Sequence, residues 1–401
     1  MNILFVTIIK INSINDRGVY PDLLRKFLHE GHKIYIVTPL ERRYRQKSTI
    51  ERQDNLVTLK IKTLNYQKTN IIEKWIGTLL INYLYLKKIK RYFSNIKFDL
   101  VLYSTPPITF NGLIEHIKKR DGARSYLLLK DIFPQNAVNL GLIREGGCIY
   151  NYYKRKEKLL YKVSDHIGCM SQANVDYILK NNPQLQNSKV EINPNSHELF
   201  DEQITPENKV FIKMKYNIPL SKVICIYGGN LGKPQGVQFI IEFLNSQTNN
   251  EDVFFLIVGS GTEYGRLKSW IEIRRPDNIK LISELPKHEY NMLLQSCDIG
   301  MIFLDKRFTV PNFPSRILSY LEYKMPVLAS TDKATDLGKT IMDNRFGLWS
   351  ESGDISATDQ NLGRLVNDPG LRLQMGLNGF DYFLNNYTVS HSYDIIVNHF
   401  K

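Results

Sequence analysis

The sequence predicts an α/β protein built as two Rossmann-like domains with parallel sheets, and three observations carry that reading. Its 401 residues exceed what one ordinary core organises. Short apolar, β-rich runs alternate with helical patterns in both halves. The alternation fades once, from Pro194 to Ser221, into polar sequence containing Pro206 and Pro219, and then restarts. The expected division is a first domain over residues 1–195, a linker over 196–221 and a second domain over 222–380. Residues 381–401 are expected to form a C-terminal helix that packs back on the first domain.

In order, MNILFVTII reads as a strand, GVYPDLLRKFLHEG as a helix and KIYIVTP as a strand. FDLVLYS, a helix near 108–120, and SYLLLKD follow. After the linker come KVICIYGG, a helix from about 235, VFFLIVGSG, a helix from about 263, NIKLIS, DIGMIFL, a helix after Pro314, and PVLAS. The opening apolar run is too short for a signal-peptide core with its cleavage site and fits a buried first strand. In open parallel sheets ligands bind beyond the carboxyl ends of the strands, which makes an inter-domain cleft the expected site.

Composition narrows the function. Forty-three per cent apolar and 23% charged residues describe a folded chain. Cys148, Cys169, Cys225 and Cys297 match no metal or redox spacing and read as reduced core residues of a cytosolic protein. No zinc spacing, Asp-x-Asp clamp or Gly-x-Ser-x-Gly elbow occurs, and His29 and His32 fall at a helix end, where they should meet solvent. No metal site is expected. The charge is uneven: residues 1–200 hold 32 Lys+Arg against 17 Asp+Glu, the rest 21 against 23. The first half should therefore meet an anionic partner.

Two glycine-rich turns, YGGNLGKPQG (227–236) and VGSGTEYG (258–265), follow strands and open helices, but neither is a dinucleotide fingerprint or a P-loop. In VPNFPSRILSYLEYKMPVLAS (310–330), Pro314 and Ser315 lead into a helix beginning near Arg316. The helix macrodipole disfavours a cation there. One explanation is a bound phosphate met by free N–H groups, a hydroxyl and a guanidinium; the other is a capped helix whose arginine points to water. Two glycine turns and this helix head at one sheet edge favour a nucleotide diphosphate site.

GVYPDLLRKFLHEGHKIYIVTPLERR, YSTPPIT (103–109), LLLKDIFPQNAVNLGL (127–142), YGGNLGKPQG and VPNFPSRILSYLEYKMPVLAS together resemble family-4 glycosyltransferases. The likeness is nearest to bacterial O-antigen and capsule enzymes of the N-acetyl-L-fucosamine transferase type. It runs in order along nearly the whole chain. It implies a GT-B fold, a nucleotide-sugar donor, taken as a UDP-sugar, in the second domain, an acceptor in the first, and retention of configuration; a polyprenyl-diphosphate-linked sugar acceptor would explain the charge of the first half, and no cofactor is expected. On that resemblance Gly229, Asn230, Lys233, Pro314, Ser315, Arg316 and Ser319 bind the donor, and Ser104 and Thr105 lie on the acceptor side. Two family glutamates are replaced by Pro311 and Ser319, and two first-loop cations by Asn230 and Gln235. Lys233 is left as that loop's cation, and Arg316 is assigned the missing charge. Gly18 either lets the backbone approach the donor or simply makes a turn. Asp131 is either a helix N-cap or the carboxylate nearest the reacting groups.

Ile71, Ile72, Trp75, Ile76, Leu79, Leu80, Tyr83 and Leu84 recur at helical spacing, with Lys87, Lys88, Lys90 and Arg91 beyond them. The stretch 75–86 falls short of the ~20 apolar residues of a membrane span. It is read as a helix lying on an anionic leaflet at the inner face of the cytoplasmic membrane, joined by Arg42, Arg43, Arg45 and Lys47; the alternative is a core helix. Basic residues beside an apolar face, rather than among stacking aromatics, argue against nucleic acid. Two other functions stay open at this level: a nucleotide-sugar 2-epimerase, and a non-catalytic nucleotide- or RNA-binding protein.

Overall fold

A computed structural model describes residues 1–66, 71–199 and 204–400, without the side chains of residues 71, 72, 74 and 75. It divides into two compact units, Met1–Glu198 with Val389–Lys401, and Leu199–Thr388. The first contains β1 (Asn2–Val6), α1 (Val19–His29), β2 (Lys33–Glu41), β3 (Thr49–Gln53), β4 (Leu56–Thr63), α2 (Ile71–Tyr92) and β5 (Leu100–Ser104). It continues through α3 (Asn111–Asp121), β6 (Arg124–Leu129), α4 (Gln135–Asn139), α5 (Cys148–Val163), β7 (His166–Cys169), α6 (Gln172–Asn181) and β8 (Val190–Ile192). The second contains α7 (Pro206–Lys215), β9 (Val223–Asn230), α8 (Val237–Ser246), β10 (Val253–Ser260), α9 (Tyr264–Arg274), β11 (Ile279–Ile282) and α10 (Lys287–Leu294). Then follow β12 (Ile299–Phe303), α11 (Arg316–Glu322), β13 (Val327–Thr331), α12 (Leu337–Asp343), β14 (Gly347–Glu351), α13 (Ile355–Asn367) and α14 (Pro369–Asn386); α15 (Val389–Asn398) belongs to the first unit.

The first unit's sheet runs β3-β4-β2-β1-β5-β6-β7-β8. Seven strands are parallel, and mostly apolar runs such as Leu100–Ser104 are buried on both faces, as the hydrophobic pattern requires. The edge departs from the all-parallel expectation: β3 pairs antiparallel with β4 across the short Asp54-Asn55 turn. Among the described residues no helix is long and apolar enough to cross a membrane.

The C-terminal helix α15 completes this unit. Tyr393 packs edge-on against Phe27 with centroids 4.8 Å apart, and Ile396 is fully buried. Ser392 Oγ donates to Asn193 Oδ1 at 2.7 Å. His32 does not face solvent as expected; its ring is held between the N-terminal amine and the Tyr393 hydroxyl, while His29 is exposed. Cys148 is exposed rather than a core residue, whereas Cys169 and Cys225 are buried. Arg42 and Arg43 pair with Glu73 and Glu41, so they add little free charge to a basic patch.

The second unit's sheet, β11-β10-β9-β12-β13-β14, is parallel throughout. Tyr227, Phe243, Phe255 and Phe303 are buried together at its centre. Within 196–221, the stretch read as a linker, Pro206–Lys215 forms a helix with Pro at its start and Thr205 capping the Asn208 N–H.

Lys130 follows β6 and donates from Nζ to the Asn193 carbonyl at 3.0 Å. Burial pushes its ammonium down to about 7 from 10.5. Between those values the unfolded chain holds the extra proton, so stability rises with pH through that window and the full penalty applies below it. Lys130→Met should therefore stabilise the protein more at pH 6 than at pH 10, by about 2–4 kcal/mol in urea unfolding. An equal effect at both would mean an ordinary ammonium.

Candidate functional site

The carboxyl edge of the second unit's sheet gathers most of the predicted donor residues. β9 ends in Gly228-Gly229-Asn230 beside the Gly259-Ser260 end of β10. A Cβ at residue 259 would fall 1.8 Å from the Gly229 carbonyl oxygen, so only glycine lets the two turns close on one another. Gly229 itself has φ +122°, in the region that favours glycine.

The guanidinium of Arg316 lies over this turn. A Cβ on Gly229 would stand 3.7 Å from its Nη2, and its Cζ sits 4.2 Å from the centre of the Tyr227 ring, a cation–π contact. Tyr320 and Tyr290 complete the surroundings. The Tyr320 hydroxyl accepts from Gly228 N–H at 3.3 Å and donates to Met301 O at 3.1 Å; a Cβ on Gly228 would strike the Tyr290 hydroxyl at 1.8 Å. Burial raises the pKa of Tyr227, Tyr290 and Tyr320, keeping all three phenols neutral. Arg316 forms no ion pair among the described residues, and its buried Nη1 has no hydrogen-bond partner. Burial is costly for a cation that no carboxylate faces among the described residues, although the Tyr227 ring and the phenols around it offset part of that cost. The chemistry that offsets this is an anion with oxygens to spare for the guanidinium fork.

Other predicted residues fall differently. Lys233 is exposed at the head of the next turn and forms no ion pair among the described residues. Asn230 is exposed and its amide is partly engaged: Nδ2 donates to Gln235 Oε1 at 2.9 Å, and Gln235 Oε1 also accepts from Gly232 N–H, so this pair fastens the loop. Pro314 lies before the helix rather than in its first turn, and Ser315 is the N-cap residue without a side-chain cap bond. Ile317 and Leu318 N–H groups bond back to the Pro314 and Ser315 carbonyls, which removes them from the expected phosphate cradle. The charge of Arg316, not the head of this seven-residue helix, is what the site offers an anion. Ser319 is buried and its hydroxyl makes no hydrogen bond among the described residues.

In the first unit, Ser104 and Thr105 are buried and do not form an acceptor surface. Ser104 Oγ meets Thr7 Oγ1 at 3.3 Å, and Thr105 Oγ1 accepts from the N–H groups of Lys130 and Asp131. Thr105 thus positions Asp131, two residues beyond β6. Asp131 is not an N-cap: Pro134 precedes α4, and Asp131 Oδ1 accepts from the Asn136 amide at 2.5 Å. Gly18 begins α1 with an extended φ of 164°, its N–H bonded to Asp22 Oδ1, and a Cβ there would meet only Pro21 at 3.7 Å. Neither the local backbone nor packing requires glycine at that position.

Sequence reasoning missed Tyr227, Tyr290 and Asp332. Tyr227 opens the quoted YGG turn, and an aromatic at a strand end beside a candidate cation was the available signal. Asp332, just after β13, is buried; its Oδ1 accepts from Ala334 and Thr335 N–H groups and its buried Oδ2 has no hydrogen-bond partner. Burial, aided by Asp305, pushes its carboxyl up to about 6. Thr335 then ties the Asn312 carbonyl at 2.8 Å, holding the loop that leads to Arg316.

Two parallel-sheet units of this kind define the GT-B fold class. Residues 208–381 match the family described as Glycosyl transferases group 1. The "Probable glycosyltransferase WbjE" of Pseudomonas aeruginosa is 23% identical over 257 residues, 63% of this chain and 62% of that relative. The chain thus matches about three fifths of that relative's length. WaaG, a glycosyltransferase involved in lipopolysaccharide biosynthesis, aligns over 98% of this chain and 99% of its own with a TM-score of 0.69 at 12% identity. Anabaena Alr3699/HepE in complex with UDP-glucose aligns over 100% and 99% with a TM-score of 0.70 at 12% identity. At those identities the likeness is one of fold.

If the Arg316 charge is uncompensated in the unliganded protein, Arg316→Met should leave the fold intact and raise its stability by about 1–3 kcal/mol in urea unfolding. A loss of stability would mean that the stack on Tyr227 outweighs the cost of the buried charge.

Proposed function

We propose that the chain is a retaining glycosyltransferase that moves a sugar from a UDP-sugar to a polyprenyl-diphosphate-linked saccharide in O-antigen or capsule assembly. The single observation that carries the reading is the unpaired Arg316 guanidinium held over Gly229 by Tyr227. A donor diphosphate supplies the anion this site lacks. The group 1 match over the same unit and the UDP-glucose complex of HepE support a nucleotide-sugar donor. The resemblance noted above points to a hexosyl or N-acetylhexosaminyl donor such as N-acetyl-L-fucosamine.

In this reaction the bond between the anomeric carbon and the β-phosphate oxygen breaks, and the acceptor oxygen bonds that carbon on the same face. The acceptor proton passes to the departing diphosphate. Arg316, with Lys233 as second cation, stabilises the charge that grows on that diphosphate, the role a metal ion fills elsewhere. Asp131, oriented by Thr105 and Asn136, holds an acceptor or donor-sugar hydroxyl. The excess positive charge of residues 1–200 suits an acceptor on a lipid diphosphate at the inner face of the cytoplasmic membrane.

Calorimetric titration with UDP tests the site. Arg316→Met should weaken binding by about 1.5–3 kcal/mol, the worth of hydrogen bonds to a charged group. Equal affinity in the folded variant would overturn the diphosphate assignment. Transfer to a lipid-linked acceptor should also persist in EDTA; loss of activity that Mg²⁺ or Mn²⁺ alone restores would defeat the metal-free reading.

A further inference from the structure

We infer that α2 and α5 together form a two-helix platform that docks the first unit on an anionic lipid surface. This deepens the membrane-face reading above by adding a second helix that the sequence pattern did not single out.

The two helices belong to one layer. α3 packs against both, and the joints are specific: Leu113 N–H donates to Asn82 Oδ1 at 2.9 Å and Lys118 Nζ to Val163 O at 2.8 Å, while Thr109, just before α3, donates from Oγ1 to Thr78 O at 3.1 Å. Each helix turns an apolar side inward: Ile81, Tyr85 and Ile89 on α2, Tyr153, Leu160 and Tyr161 on α5, all buried. Their opposite sides therefore look outward from the same layer.

What those outward sides carry is unusual for a water-facing surface. On α2, Ile76, Leu79, Leu80 and Tyr83 are 43–60% exposed. On α5, Ile149, Tyr152 and Leu159 are 37–46% exposed. Trp75, expected on the α2 stripe, has a side chain outside the described residues. Leu84 is only half-buried, and the bases begin one turn later, within the helix rather than after it.

The exposed charge of both helices is of one sign. Lys87, Lys90 and Arg91 on α2 and Arg155, Lys158 and Lys162 on α5 are exposed without ion pairs among the described residues; Lys88 is half-buried. The acids are accounted for locally: Glu157 is buried and paired with Lys154, and Glu115 on α3 pairs with Lys119. On each helix a lysine lies over an exposed tyrosine, Lys87 at 5.9 Å from the Tyr83 ring centre and Lys156 at 5.6 Å from Tyr152. Apolar residues to enter the headgroup region, tyrosines at its boundary and bases beside them fit an anionic leaflet. A nucleic acid would use the bases and leave the leucines and isoleucines wet.

The test is sedimentation of the full chain with vesicles of phosphatidylglycerol and phosphatidylcholine, or of phosphatidylcholine alone. Binding should require the acidic lipid and weaken with salt. On α5, Arg155→Gln with Lys158→Gln and Lys162→Gln should lower the vesicle partition coefficient at least 10-fold, because each base near such a surface is worth roughly 5-fold. Leu79→Ser with Leu80→Ser should lower it as well. UDP affinity should be unchanged in both variants, and this separates failure of docking from failure of the donor assignment. Undiminished vesicle binding by the α5 variant would overturn the two-helix platform. Strong binding of single-stranded RNA that the Leu79/Leu80 variant retains, with vesicles unbound, would assign the surface to nucleic acid and overturn it too.

Discussion

The second unit is organised around a charge with no counter-charge. Arg316 has been given a tyrosine ring to rest on, glycines beneath it and neutral phenols around it. Each neighbour removes water from the guanidinium without neutralising it. Had a carboxylate stood nearby, the arginine would read as a structural ion pair. On the proposed reading, an incoming donor diphosphate would supply the counter-charge that the protein leaves out.

The surrounding glycines follow from the same constraint. β9 and β10 can end side by side only if residue 259 lacks a side chain, Gly228 leaves room for Tyr290, and Gly229 adopts the positive φ of the turn under Arg316. Asn230 and Gln235, standing where the family resemblance leads one to expect cations, are bonded to each other and fasten the loop. Lys233 on the loop and Arg316 over its glycine turn remain as the cations there.

The two sheets were legible because parallel strands buried on both faces read as uninterrupted apolar runs, such as VFFLIVGS and FDLVLYS. The hairpin strand β3 was not, since Thr49–Gln53 is mostly exposed and carries little apolar signal. Arg316 could be singled out because an arginine at a helix start conflicts with the macrodipole. Its tyrosine surroundings were less legible, because Tyr227 and Tyr290 approach from β9 and α10, and only Tyr320, one turn on in the same helix, is near in sequence. Ser104 and Thr105 were misplaced for a related reason: a hydroxyl beside a strand end looks available until the neighbouring strand's N–H groups claim it. Both α2 and α5 show the same limit from the other side. Periodicity reveals an apolar stripe, and α2 has two, of which the one through Ile81, Tyr85 and Ile89 is the core face.

The chain's return to its first unit bears on how it is made. α15 fills the ground beside α1, yet it is synthesised after the whole of the second unit. During translation the α1 face around Phe27 stays uncovered while the next 190 or so residues emerge. The first unit therefore reaches its final state last, although it begins first, and the second can fold as a closed segment in the interval.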